Sequence, residues 1–253
     1  MVAVPAADVG RAAAPAPDVR VRTGPRQARA LATREAILDA AAREFAVEGY
    51  HAASLSKIRE RSGVTKGAMY FHFASKEAMA RAVADIMAAR LPEVVADWVG
   101  PGHDPLGAAA RLAVGWAAIL RDEVACRAGL RVVHDGALGP ERARFPYDFW
   151  ERVHADLFAR AREAGSLREG IDPAELARTV VALGTGVRVV CLADGGYAAV
   201  RERTEAAWSV LLAGVAEPGW LERWHAAGGM ATAPEEPGGA PAGVPDGVAR
   251  SVP

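Results

Sequence analysis

The sequence predicts an all-α protein in two parts, and three observations carry that expectation. The stretch Ser62-Gly63-Val64-Thr65-Lys66-Gly67-Ala68-Met69-Tyr70-Phe71-His72 reads as the turn and second helix of a helix-turn-helix. Apolar residues recur at helical spacing before and after it. No convincing run of alternating strand residues occurs anywhere.

Thr33 to Glu48 is a regular amphipathic segment, with Ile37, Ala41 and Phe45 at i, i+4 and i+8 and Gly49 as the residue past its end. Ser54 is placed to cap a short helix whose Leu55 and Ile58 face inward, leaving Lys57, Arg59 and Arg61 outside. Gly63 allows the sharp bend, and Thr65 is a good N-cap for the helix that follows. Lys66 and Gly67 fall in the first turn of that helix, where backbone N–H groups and the helix dipole attract phosphate. Tyr70 and His72 carry polar tips on one side of it. Ser75 caps a longer helix with Met79, Val83, Ile86 and Met87 on one side, which Pro92 is expected to end. Three helices and a connector over residues 33–91 make a compact DNA-binding domain.

Charge is distributed to match. The whole chain carries a net −1, but residues 20–90 hold 13 Lys/Arg against 7 Asp/Glu, a net +6, so the remainder is about −7. A basic end on an acidic body fits a reader joined to a regulatory domain. Residues 1–19 are rich in Ala, Pro and Val and read as disordered. Residues 20–32 hold four arginines and form either an arm along DNA or a solvated basic linker.

From 104 to 225 the pattern stays helical. Leu106, Ala109, Ala113, Trp116 and Leu120 mark one helix, and Val124 to Val133 a second. Pro140 to Pro146 reads as a loop, and Tyr147 to Ala164 as a helix closed by Gly165. Asp172-Pro173-Ala174-Glu175 is a strong helix start, with an acidic N-cap, proline at N1 and carboxylate at N3. That helix runs to about Ala193, and Tyr197 to Ala213 forms the last long one. The last two helices have more apolar residues than one face needs, so they form either a dimer interface or the buried centre of a monomer. Residues 226–253 are Gly, Pro and Ala with almost no large apolar group and read as a disordered tail.

Residues 33–91 resemble the DNA-binding domain of TetR-type transcriptional repressors. The likeness rests on Gly63 to Phe73 followed by Ser75-Lys76-Glu77. Further stretches are similar to the γ-butyrolactone receptor branch of that family: Arg127-Ala128-Gly129-Leu130-Arg131, Tyr147-Asp148-Phe149-Trp150, Ile171-Asp172-Pro173, Thr185-Gly186-Val187, and Trp208 with Leu211 to Gly219. The resemblance implies a three-helix reader followed by an all-helical ligand-binding and dimerisation domain. It also implies a homodimer on near-palindromic double-stranded operator DNA, released by a γ-butyrolactone-like inducer and controlling antibiotic production. DNA contact then falls to Ser54, Thr65, Lys66, Gly67, Tyr70, Phe71, His72 and Lys76. Lys66 and Tyr70 approach base edges or adjacent phosphates; Thr65, His72 and Lys76 anchor phosphate. In the branch, a tryptophan matching Trp150 lines the ligand pocket and a threonine matching Thr185 lies near it. Trp116 is either a second wall or core.

The chain departs from the branch at several points. Arg188 stands where Gln often follows Thr-Gly-Val, Val132-Val133-His134-Asp135 follows Arg131, and the Arg142/Arg144 segment is unusual. Arg188 either favours an acidic ligand such as a carboxylate-bearing furan, in the manner of pseudo-receptors that answer to antibiotics or intermediates, or points to solvent.

Other classes fit worse. There is no Gly-x-Ser-x-Gly, no phosphate loop, no cofactor motif and no metal-spaced cluster; His134-Asp135 with His154 is the nearest approach to a catalytic set. A constitutive architectural DNA binder would be strongly basic. Cys126 and Cys191 lack a Cys-x-x-Cys partner and read as buried thiols of a cytoplasmic protein. The most apolar run, Thr179 to Ala193, contains Arg188 and is too short to span a bilayer, so no membrane is expected.

Overall fold

The computed structural model describes residues 24–99 and 102–232. Among the described residues there is no strand; an isolated bridge pairs Leu167 with Ala216. The all-α class is as the sequence implied. Helix α1 spans Pro25–Ala52, α2 Leu55–Ser62, α3 Lys66–His72 and α4 Lys76–Trp98. The body follows as α5 (Pro105–Asp122), α6 (Val124–His134), α7 (Pro140–Glu163), α8 (Pro173–Ala193), α9 (Val200–Val215) and α10 (Pro218–Ala226), with a 3₁₀ turn at Gly229–Thr232.

Local chemistry explains most boundaries. Thr65, Ser75 and Asp104 each accept a hydrogen bond from the N–H three residues on, at 3.2, 3.1 and 2.7 Å. Asp172 accepts from the N–H of Ala174, two residues on, with Pro173 at N1. Gly63 has φ 67°, the left-handed conformation that reverses the chain between α2 and α3. Gly49, at φ 76°, bends α1 before its last residues.

Two apolar cores result. The first gathers Ile37 and Phe45 of α1, Ile58, Met69, Phe73, Met79 and Val83, and it takes in Ala128 and Val132 of α6. The second fills the body from Leu91 and Trp98 of α4 through Leu112, Phe149, Phe158, Trp208 and Trp220. Helix α6 therefore belongs to both. At Gly129 a Cβ would meet Met87 Cβ at 2.5 Å, so the backbones of α6 and α4 touch where no side chain fits. At the far end of α6, Asp135 Oδ2 accepts the Tyr50 N–H at 2.7 Å, and a Cβ on Gly49 would meet the same oxygen at 2.7 Å.

Several expectations need correction. The basic segment 20–32 is no arm from Pro25 onward, because Pro25 opens α1 and residues 25–32 are its first two turns. Residues 1–23 lie outside the described residues. Pro92 does not end α4: buried Leu91, Val94 and Trp98 hold the helix together across the missing N–H. Ile86 is exposed rather than core. Residues 140–146 are the first turns of α7, with Pro146 buried inside it. Ser54 precedes α2 without a capping hydrogen bond; its N–H donates to buried Glu44 Oε1 at 3.1 Å. The tail does not begin at 226: Trp224 and Met230 join the body core, and residues 233–253 lie outside the described residues. Finally, α8 is long and apolar enough to cross a membrane by length and composition, contrary to the shorter run read from sequence. One face of it, with Leu176, Ala177, Val180, Arg188 and Cys191, is buried in the body, and the other face is exposed.

Candidate nucleic-acid interface and internal cavity

Helix α3 presents an outward face. Met69 is its buried anchor, while Thr65, Lys66, Gly67, Tyr70 and Phe71 are exposed. Phe71 is 82% exposed, an extreme value for an aromatic side chain, and stacks only edge-on against His72 at 5.2 Å. Lys66 makes no hydrogen bond or ion pair among the described residues, and open space surrounds the position of a Cβ on Gly67. This face can therefore meet a groove without first breaking internal bonds.

Two residues named with that face also make bonds within the scaffold. Lys76 Nζ donates to the carbonyls of His51 and Ala53, both at 3.1 Å, and lies 4.7 Å over the Tyr50 ring. It closes the C-terminal end of α1, where carbonyls are otherwise unmet. Ser54 turns its hydroxyl to Ser56 at 2.6 Å. Lys57, read as simply outward, pairs with Glu48 at 3.1 Å.

The body holds a partly open cavity of about 90 Å³ between α5, α6, α7, α8 and α9. Trp116, Trp150 and Trp208 are its aromatic walls, the first two 5.4 Å apart between ring centroids. Leu130 brings α6 to the cavity. Thr185 and Arg188 come from α8, and Thr204 from α9. Trp150 and Trp116 thus both line it, and the alternative of solvent for Arg188 is excluded: the residue is 3% exposed.

The cavity's polar groups are unusual. Arg188 has no hydrogen-bond or ion-pair partner among the described residues, and its Nη2 is fully buried. His154, 5% exposed, has its Nε2 buried and unpartnered too. Burial pushes the His154 imidazole down to about 4, so it is neutral near pH 7. Its Nδ1 lies 2.9 Å from the Trp150 carbonyl, which can only accept; Nδ1 therefore carries the proton and Nε2 is a bare acceptor. His154 was not among the residues read as ligand-facing. The available signal was its spacing, since Trp150, His154 and Phe158 fall at i, i+4 and i+8 on one face of α7.

No catalytic set forms. His134 is exposed, Asp135 is bonded to the Tyr50 N–H, and His154 faces the cavity. Among the described residues no three His, Cys, Asp or Glu side chains converge as a metal site. Both cysteines are buried; Cys126 donates to Glu123 at 3.3 Å, and burial beside that carboxylate raises its thiol well above the ordinary range.

A helix-turn-helix reader packed on a helical body with an internal cavity is the architecture of a one-component regulator. Residues 37–83 match the model of the bacterial regulatory proteins of the tetR family. The A-factor receptor protein of Streptomyces griseus is 36% identical over 196 residues, 77% of this chain and 67% of that one. CprB of Streptomyces coelicolor superimposes with a TM-score of 0.70 at 31% identity, covering 78% of this chain and 94% of that one. CprB solved in complex with its biological operator sequence gives 0.67 and 32% over the same shares. The chain belongs to the TetR family of transcriptional regulators, in the γ-butyrolactone receptor branch, and is not an enzyme.

Proposed function

We propose that this regulator binds a near-palindromic operator as a homodimer, represses from it, and is released when a small amphipathic molecule enters the body cavity. The observation that carries this reading is the pairing of an unoccupied-by-bonds outer face on α3 with a tryptophan-walled cavity in the body, joined by α6. On the DNA side, Lys66, Tyr70 and Phe71 enter the major groove, with Thr65 and His72 toward phosphate. CprB's structure with its operator supports that assignment by kinship.

Two copies are needed because one seven-residue helix contacts too few bases. The outer face of α8 and α9 supplies the joint. Val189, Val190 and Val210 are exposed there, Val210 to 77%, with Gly186, Ala206 and Ala213 beside them.

Release follows from size. The cavity is about 90 Å³, below the roughly 300 Å³ at which ligand pockets usually begin. A γ-butyrolactone with an alkyl tail enters only if helices part. Leu130 on the cavity wall lies in α6 and Asp135 at the Tyr50 N–H caps its C-terminal end, so displacement of that helix bears directly on α1 and α4. A differential affinity of about 1–3 kcal/mol between the two shapes weakens DNA binding roughly 5- to 150-fold. Kinship with the A-factor receptor supports a lactone-type signal and control of secondary metabolism; the buried Arg188 favours an acidic ligand as the second reading.

The test is a gel shift on DNA from the gene's own upstream region, repeated with γ-butyrolactones, butenolides and furan carboxylic acids. A specific shift relieved by one of these classes is the expected result. A shift that none relieves removes the released-repressor reading.

A further inference from the structure

The reader meets the body along α6, and its contacts there are of two kinds. Ala128 and Val132 of α6 sit in the apolar core of the reader, and Gly129 lies against Met87 of α4. Apolar contacts hold helices together without defining a direction. The polar contact lies at the end of the helix. Asp135, the C-cap of α6, accepts the Tyr50 N–H through Oδ2 at 2.7 Å, and Arg131 Nε stands 3.6 Å from Oδ1. A charged acceptor makes that bond short and directional. Gly49 makes room for it: a Cβ there would stand 2.7 Å from Oδ2 and 3.2 Å from Arg131 Nε. His51 Nε2 lies 3.2 Å from the Asp135 carbonyl oxygen, a second tie at the same place.

The tie continues into the DNA-binding motif. Lys76 Nζ donates to the carbonyls of His51 and Ala53 and lies over the Tyr50 ring. Lys76 is the first residue of α4 and follows closely on the end of α3 at His72. Residues 49–53 are therefore gripped by α6 on one side and by the start of α4 on the other. From Gly129 to Asp135 is about 9 Å along the helix axis, at roughly 1.5 Å per residue. A single contact point lets the reader swivel on the body; a second at that distance stops it.

We infer that Asp135 is a positioning residue for operator binding: its carboxylate clasps the end of α1 and, through the Lys76 junction, fixes the angle at which α3 is presented. This rests on α3 as the DNA-facing helix of a dimer. In a dimer the angle of each reader sets the distance between the two copies of α3, and so the half-site spacing that is read. A held angle also lowers the ordering cost of binding. Asp135 lies in the Val132-Val133-His134-Asp135 segment, where this chain departs from its branch, so the family likeness did not point to it.

The test uses the full chain and separates the clasp from the DNA reading. Spin labels on Arg61→Cys of α2 and Glu163→Cys of α7, both exposed positions, read the reader–body distance by double electron–electron resonance, with labelled chains diluted in unlabelled ones. Cys126 and Cys191 are buried and stay unlabelled. Asp135→Ala should broaden a narrow distance distribution, and Asp135→Asn, which keeps an acceptor oxygen for the Tyr50 N–H, should restore most of it. On the duplex that the wild type protects in the gene's own upstream region, Asp135→Ala should weaken binding roughly 10-fold. On duplexes with one base pair added or removed at the centre, the wild type's penalty should shrink at least about threefold in Asp135→Ala. Lost stability alone would weaken all three duplexes equally and leave the spacing preference as it was. Asp135→Ser serves if the Ala variant folds poorly. A narrow distribution in the folded variant overturns the proposal, as does an unchanged spacing preference. If the wild type protects no DNA, the operator reading fails, and the distances alone decide whether Asp135 fixes the reader.

Discussion

The reader and the body treat their polar groups in opposite ways. In the reader, the one strongly buried carboxylate, Glu44, is satisfied: it accepts the Ser54 N–H and has Lys57 Nζ at 3.9 Å. What the reader leaves unpaired, Lys66 and the rings of Tyr70 and Phe71, faces solvent, where an unmade bond is met by water. The body does the reverse. It pairs surface charges, as Arg144 does with Asp148 and Glu151, yet its unpaired groups, Arg188 and His154, are inside. Open groups at a surface suit a large partner that arrives from outside. Buried groups left without partners destabilise the empty state, so a small molecule that satisfies them gains that energy on entry. The two recognition tasks are thus written into where dissatisfaction is tolerated.

The largest expected effect concerns what links the regions. Val210→Asp on the outer face of α9 should give a monomer by analytical ultracentrifugation and weaken operator binding roughly 10²- to 10⁴-fold, since the second reader no longer binds intramolecularly. A dimer that persists would move the joint off α8 and α9. Next, Trp150→Ala removes a buried wall and should cost about 3–5 kcal/mol by denaturant unfolding. DNA binding at low temperature should remain while release by ligand is lost; normal release would separate the cavity from the response.

His154 gives a pH signature. Its folded value of about 4 lies below its ordinary 6.5, so the unfolded chain binds the extra proton first. The contribution is fully present above about pH 6.5 and is lost as pH falls from there toward 4, on the order of 3 kcal/mol across the window. Unfolding midpoints of the wild type should fall in that range more steeply than those of His154→Leu. Parallel curves would mean that His154 is not buried as neutral imidazole. The smallest effect lies in the reader. Lys66→Ala should leave stability within about 0.5 kcal/mol, because the side chain is exposed and makes no hydrogen bond or ion pair among the described residues. It should still weaken operator binding about 10- to 100-fold, with a shallower salt dependence by roughly two counterions per dimer.

Much of this was legible in the chain because it is local. Gly63 and Thr65 define the turn and the start of α3 within three residues of sequence, and Asp172-Pro173 does so for α8. The same signature, acid followed by proline, occurs at Glu217-Pro218 and starts α10, where Glu217 accepts the Trp220 N–H at 2.7 Å; it was available and passed over. Pro92 and Pro146 misled for a different reason. Each removes one hydrogen bond, but the apolar residues around it bury enough surface to carry the helix through, and that burial depends on partners far away in sequence. The cavity was half legible. Trp150, Thr185 and Trp116 came with the family likeness, whereas His154 did not, because a single histidine on a helix is silent about its neighbours.

What the sequence determined by itself is the set of helices with local start and stop signals, the outward chemistry of α3, and the family. These depend on residues within a few turns of one another. What only the tertiary structure decided is the burial of Arg188 Nη2 and His154 Nε2 without partners, the bonding of Lys76 to the carbonyls at the end of α1, and the double membership of α6 in two cores. Each is a property of groups 20 or more residues apart in the chain, and whether a charge meets water, a carbonyl or an empty cavity is settled only when those segments pack.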